Sequence, residues 1–467
     1  MNSGILIQSI LIGYSFVCIS PLIKKSQVRN KIIVYGTSFS FFWGFVAIVF
    51  ILCLMIDTYF SINIFQSIVI IFIIFICSLF LNRSSKVWFN IEDFIVFTLT
   101  FSTTYITSYF QLPRMRGGDG YWLAQIAVSL SDGVLESGDF SGAGHRAPLW
   151  IILESFSLMI SNYFFIQFQH LSALITLLIL ISIIYDKTNT KYENFIFSFL
   201  LLCLISAPAY IALSIYFEIH SFGSLLIILL WYYSQIYSYK KSQHLLISIV
   251  IVLLCCTLSL ARFEGFLLAL PFLYKFYLID KKILNLKIYL ILFSINALWY
   301  FNLINLGIVH KSSSDYIFLV IAIIPFVSIV FFQLIEQYIS LKNLLNIQLI
   351  IVFLLLIISS QFREIIFTFF NILNFYGGWG STGPLFLIFI AYLTYKFLVK
   401  NFRKGNLFTE NISIMIVFGL QLLTFFGNTT LGWRYGLTSS ANRLFYMIVP
   451  ILILDFYREF KSEQNTV

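Results

Sequence analysis

The sequence predicts an all-α, polytopic transmembrane helical bundle of about 15 spans, and three observations carry that expectation. Only 10% of the 467 residues are charged and 60% are hydrophobic, with 53 phenylalanines among them. A soluble domain carries roughly 25% charged residues, so this composition cannot build a water-facing surface. Apolar stretches of about 17–25 residues, enough helix to cross a bilayer core, recur along the whole chain. Basic residues fall in short clusters between those stretches, as at Lys24-Lys25, Lys240-Lys241, Lys281-Lys282 and Arg403-Lys404.

The expected spans are 4–23, 33–56, 63–81, 88–110, 163–184, 195–213, 217–237, 243–261, 263–279, 286–307, 316–336, 344–360, 384–399, 411–428 and 441–457. Residues 4–23 read as a first span rather than a secretory signal, because no basic residue precedes them and the lysine pair follows. With the N-terminus outside, 21 of the 29 basic residues fall on the cytoplasmic side and 8 on the outer side. The opposite threading would invert this bias, so the charges favour an outside N-terminus. The net charge of +9 is therefore topological, matched to the cytoplasm and anionic lipid, and nucleic acid is not an expected partner. All six cysteines lie inside apolar runs, which leaves neither a disulfide framework nor zinc-ligand spacing.

The two basic sets differ in kind. Lysine dominates inside, whereas the outer set is Arg114, Arg116, Arg146, Arg262, Lys311, Arg363, Arg434 and Arg443. The guanidinium fork suits phosphate or carboxylate, while lysine serves as a general surface charge. Pairing with nearby acids for structural reasons is the alternative for each arginine.

The one long polar stretch, residues 111–147, follows the fourth span on the outer side. Long loops of this kind are usually functional or disordered. Its apolar pieces, Tyr121–Leu130 and then Pro148–Ile160, read as helices lying on the membrane surface. It holds Asp119, Asp132, Glu136, Asp139, His145 and Arg146. Asp119 sits in Gly117-Gly118-Asp119-Gly120 before Tyr121 and Trp122, where glycines let a backbone approach a ligand closely. A carboxylate beside an apolar interface can be tuned toward a working general base. The competing role for Asp119 is to cap the helix beginning near Tyr121, and His145 reads either as a polar contact or as a ligand or catalytic group.

Other outer features accompany this loop. Arg262 and Glu264 occupy a tight turn, Ala261-Arg262-Phe263-Glu264-Gly265. Such charges at membrane depth are costly unless paired or functional. Glu218 and His220 open another span, Arg434 and Arg443 bracket the entry to the last one, and Trp379 lies in the glycine-rich run 377–383. Trp379 would stack on a sugar ring or pack at the interface.

Taken in order, these features resemble the GT-C superfamily of integral membrane glycosyltransferases, which use polyprenyl-phosphate-linked sugars. The residues that carry the resemblance are Gly118-Asp119-Gly120-Tyr121 with Gly144-His145-Arg146-Ala147-Pro148-Leu149, then Arg262-Phe263-Glu264-Gly265, then Ala441-Asn442-Arg443-Leu444-Phe445 with Pro450. The matching order and shared sidedness cover roughly 88–457, so residues 1–87 form an extra three-span segment and 458–467 a cytoplasmic tail. The family's adjacent acidic pair is missing, which leaves Glu136, Asp139 or Glu218 as the second acid.

The resemblance implies a GT-C-like core with interfacial helices in its first large external loop. It implies hexosyl or pentosyl transfer, with inversion, from a polyprenyl-phosphate-linked donor to a glycan, lipid or protein acceptor. Asp119 would deprotonate the acceptor hydroxyl. Arg262, Arg443 and Arg434 would hold the lipid phosphate, while Tyr121, His145, Arg146, Glu264 and Trp379 would line the substrate site. The resemblance fixes no cofactor, and a divalent metal, Mg or Mn, stays open. The expected location is a bacterial inner membrane, with the site facing the periplasm or exterior. The alternatives are an O-antigen or repeat-unit polymerase and a non-enzymatic lipid-linked oligosaccharide flippase. Flippases and transporters usually carry internal repeats and broken helices with charges lining a path through the bilayer, whereas here mid-span charges are few and no internal repeat is evident.

Overall fold

A computed structural model describes residues 3–25, 28, 30–60, 90–108, 117–132, 148–165, 167–185, 190–207, 219–237, 244–261 and 440–464, with scattered single residues between. Every regular element among them is helical: α1 (Ser3–Val17), α2 (Ser20–Lys25), α3 (Lys31–Phe60), α4 (Ile91–Ser108), α5 (Gly117–Ser131), α6 (Pro148–Ser161), α7 (Gln167–Ile184), α8 (Lys191–Ser206), α9 (His220–Tyr237), α10 (His244–Ala261) and α11 (Ser440–Gln464). Three stretches, Ser3–Lys24, Lys31–Leu54 and Gln167–Ile184, are long and apolar enough to cross a membrane. The chain is therefore an integral membrane protein. The described helices fall on the expected spans 4–23, 33–56, 88–110, 163–184, 195–213, 217–237, 243–261 and 441–457; the spans 63–81, 316–336, 344–360 and 411–428 lie outside the described residues.

Apolar side chains face both ways, as lipid requires. Inside, Phe39, Trp43, Phe165, Phe168 and Phe222 are buried. Their rings meet at centroid distances of 4.7 Å for Trp43–Phe165 and 4.8 Å for Phe168–Phe222. Outside, α4 presents Ile91, Phe94, Ile95, Leu99 and Ile106, and α8 presents Tyr192, Phe195, Phe199, Leu202 and Ile205, all exposed. Apolar stripes of that size do not face water in a monomer. The hydroxyls on α4 that would be orphaned in lipid donate back to their own helix: Thr98 to Phe94 O, Thr100 to Val96 O, Thr104 to Thr100 O and Ser108 to Thr104 O, all at 2.7–2.8 Å.

Polar ties collect the helix ends. At one end, Lys24 donates to Asp93 at 2.8 Å, beside the Ser20 hydroxyl bond to the same carboxylate at 2.6 Å. Lys31 pairs with Glu92, and Asn30 donates to Ser182 at 2.8 Å. The end of α2 and the starts of α3 and α4 therefore meet, joined by the end of α7. Trp231 Nε1 donates to Asp455 at 2.7 Å, with Arg458 at 3.7 Å, tying the last turns of α9 to α11.

The first span is interrupted between Val17 and Ser20. Pro21 removes the N–H that would have bonded Val17 and clashes with the preceding turn. Ser38 on α3 repairs the gap, accepting from Ile19 N at 3.2 Å and donating to Ser15 O at 3.0 Å. Helix α1 packs on α3, α4 and α6, and α3 packs on α6, α7, α9 and α10, so the N-terminal helices are integral to the described bundle.

Candidate functional site

The arm that carries the expected site is the pair α5–α6. Helix α5 starts at Gly117, four residues before Tyr121, so Asp119 lies in its first turn and not at the cap position before Tyr121. A carboxylate there complements the positive end of the helix dipole. Leu123, Ala124, Ile126, Ala127 and Leu130 form the buried face of α5, and α6 packs against it.

Helix α6 is buried on nearly every side, from Pro148 through Ser157 and again at Ser161. It is not a helix half-sunk in lipid. Its sequence, PLWIILESFSLMIS, is apolar over most of its circumference, and Glu154, Ser157 and Ser161 share the remaining face, where polar partners inside the bundle meet them. With 14 residues it is too short to cross a bilayer. It packs on α1, α3 and α10 as well as α5.

Two polar anchors hold α6. At its C-terminal end the Gln8 amide nitrogen, on α1, is shared among Ser157 Oγ at 2.6 Å, Ser161 Oγ at 2.9 Å, Tyr163 O at 2.8 Å and Phe164 O at 3.3 Å. Tyr163 O, just past the helix end, also accepts from Ser157 Oγ at 2.8 Å, so the exit from α6 gathers on the one Gln8 side chain. The chain leaves α6 through Asn162 at φ 58°, a left-handed conformation that asparagine tolerates better than most residues. In mid-helix, Glu154 is fully buried, and its Oε2 accepts from Phe165 N at 2.7 Å just before α7 begins. Desolvation pushes its carboxyl well above the usual carboxylate range, against the opposing pull of the Phe165 N–H.

No family model, curated protein or solved structure matches this chain. The reading of the site therefore rests on its residues.

The expected site residues divide by what the structure describes. Asp119 and Tyr121 lie on α5 and Arg443 lies in the first turn of α11, placed by backbone. Glu136, Asp139, His145, Arg146, Glu218, Arg262, Glu264, Trp379 and Arg434 lie outside the described residues. The carrying elements are neighbours in series: α5 on α6, α6 on α10 (whose last residue precedes Arg262), α10 on α9, and α9 on α11. Gly223 on α9 faces the flexible end of the Met447 side chain on α11. His220, at the start of α9, is buried. No group of three or more metal-ligating side chains occurs among the described residues.

Sequence reasoning passed over Gln8, Asp93, Glu154 and Asp455. The signal for the carboxylates was present: single acids in or beside apolar runs, which are costly unless paired or used. Gln8 carried no such signal, because its partners lie about 150 residues away.

Proposed function

We propose that this protein is a membrane glycosyltransferase that moves a sugar from a polyprenyl-phosphate-linked donor to a glycan, lipid or protein acceptor on the non-cytoplasmic face. The observation that carries the reading is Asp119. It sits in the first turn of a short helix that follows a span, on an arm anchored inside the bundle by Gln8 and Glu154. A general base must be held in place while the acceptor approaches, and that anchoring supplies a rigid mount.

In this reading Asp119 takes the acceptor hydroxyl proton as the oxygen attacks the anomeric carbon. The bond to the polyprenyl phosphate or diphosphate breaks, and configuration inverts. Arg262, Arg443 and Arg434 meet the charge growing on the leaving phosphate, fixed-charge stabilisation of a few kcal/mol per donor. Glu136, Asp139 or Glu218 serves as the second acid. Tyr121, His145, Arg146, Glu264 and Trp379 contact the sugars, and a divalent metal remains compatible with the acids present.

Asp119→Asn tests the base assignment in purified, lipid-reconstituted protein. Transfer should fall by at least about 100-fold, with membrane insertion and thermal stability unchanged. Undiminished transfer would remove Asp119 from the chemistry.

A further inference from the structure

We propose that His220 belongs to the site for the substrate's phosphate, where it binds phosphoryl oxygens together with Arg443 across the α9–α11 contact. The identity of the ligand rests on the sugar-transfer reading; the pairing of the two residues does not.

The case begins with register. Gly223 on α9 faces Met447 on α11, and Trp231 on α9 donates to Asp455 on α11. Gly223 precedes Trp231 by eight residues, as Met447 precedes Asp455, so the two helices run parallel and in step. Residues three and four apart share a helix face. His220, Gly223, Ile227 and Trp231 therefore form one stripe of α9, and Arg443, Met447, Ile451 and Asp455 one stripe of α11. One turn back from Gly223 and Met447, this register sets His220 beside Arg443.

This end of α9 is interior. His220 is 3% exposed, and Ser221, Phe222 and Ser224 are buried with it. Helix α9 packs on α3, α7, α10 and α11, and the Phe222 ring stands 4.8 Å from the Phe168 ring of α7. Residues 238–243 join α9 to α10, and the two helices pack on each other. The buried Ala261 therefore closes α10 at the His220 end, and Arg262 follows it in sequence.

The residue types fit one chemical class. Arginine stays charged, and charge inside an apolar bundle is costly unless paired or used. The turns that meet here, 220–224, 258–261 and 440–447, contain no carboxylate. A phosphate supplies the missing negative charge: a guanidinium fork holds two of its oxygens, and imidazole, neutral or charged, has an N–H for a third. The competing role for Arg443 is an ion pair with Glu218 or Glu264, the acids that flank these turns in sequence.

Equilibrium binding of labelled polyprenyl monophosphate to the purified full chain tests the proposal. His220→Leu and Arg443→Gln should each weaken binding about 10–100-fold. Lys31→Gln, which removes an exposed pair with Glu92, should leave it unchanged. Wild-type affinity in either single variant overturns the proposal, as does equal binding of unphosphorylated polyprenol. Equally effective competition by phosphatidic acid would make the ligand a common membrane lipid and overturn its polyprenyl assignment. If His220→Leu fails to fold, phenylglyoxal labelling of Arg443 in the wild type, read by mass spectrometry, should slow when polyprenyl phosphate is added; labelling that ignores it overturns the proposal and favours the ion pair. Sugar transfer is a separate readout. Binding through His220 with no new glycosidic bond contradicts the sugar-transfer reading alone, and transfer with undiminished phosphate affinity in H220L contradicts this inference alone.

Discussion

Gly4→Ala pits two physical effects of opposite sign against each other. Gly4 lies in the first turn of α1, where alanine is the better helix former by up to ~1 kcal/mol, so propensity alone predicts stabilisation. The packing predicts the reverse. A Cβ at Gly4 would overlap the Ser161 carbonyl oxygen and stand 3.0 Å from both Ser161 C and Tyr163 Cδ2. Unstrained carbon contacts lie at about 3.5–4.0 Å, so relieving the two carbon contacts takes a retreat of α1 of roughly 0.5–1 Å, and the overlap with the oxygen takes more than about 1 Å. The obstacle is backbone and cannot rotate aside. Gln8 is one turn further along α1, and its bonds of 2.6, 2.9 and 2.8 Å to Ser157, Ser161 and Tyr163 would stretch toward or past hydrogen-bonding range. Overpacking costs about 1–3 kcal/mol and each lost interhelical hydrogen bond about 0.6, for a net destabilisation of about 2–3 kcal/mol after the propensity gain. Unfolding of the purified protein in mixed micelles of rising SDS fraction, followed by far-UV circular dichroism, measures this. Ile10→Ala, on the exposed side of the same helix, is the control and should shift the midpoint little. A Gly4→Ala midpoint at or above wild type would refute the close contact of α1 with α6.

Gly44→Ala should destabilise the α3–α10 contact by about 1–3 kcal/mol, since its Cβ would meet Thr257 Oγ1, with Thr257 Cβ and Cγ2 at 3.1 and 3.2 Å. Adding Thr257→Ala should recover part of that loss in the same SDS titration, and strict additivity would count against the contact. Trp231→Phe removes the indole donor from the buried Asp455 and should cost about 1–3 kcal/mol; a silent variant would mean that this tie is redundant. For topology, Asp132→Cys and Lys25→Cys in a cysteine-free background should differ, with a membrane-impermeant thiol reagent added to the outside of intact cells labelling the first alone. The reverse pattern would invert the threading.

Much of the fold was legible because lipid leaves a chain few options. Every spanning segment must satisfy its own backbone, so length and apolarity located α3, α4, α7, α9 and α10 to within about four residues at each end, while α11 runs on to Gln464, past the expected end at 457. Boundaries slipped where local chemistry outranked hydropathy. Helix α8 begins at Lys191 rather than 195, because Thr190 and Glu193 form a capping box, a T-x-x-E signature readable in the sequence. The first span breaks between Val17 and Ser20, just ahead of Pro21, where hydropathy alone shows continuity. Burial of α6 was not legible: its position after a polar loop and its Glu154–Ser157–Ser161 face pointed to the membrane surface, while the partners of that face lie on distant segments. The anchors of the site arm were the least legible part. Gln8 meets Ser157 and Trp231 meets Asp455 across more than a hundred residues of chain, and no local pattern encodes such pairings.

The central claim is that this protein makes a glycosidic bond. It is tested most directly by giving purified protein in liposomes polyprenyl-phosphate-linked radiolabelled sugars together with candidate acceptors. The account predicts label in a new glycosidic product, stoichiometric release of polyprenyl phosphate or diphosphate, and loss of both with Asp119→Asn. Label that crosses the bilayer still attached to its original lipid, with no product formed, would contradict it and establish a flippase instead.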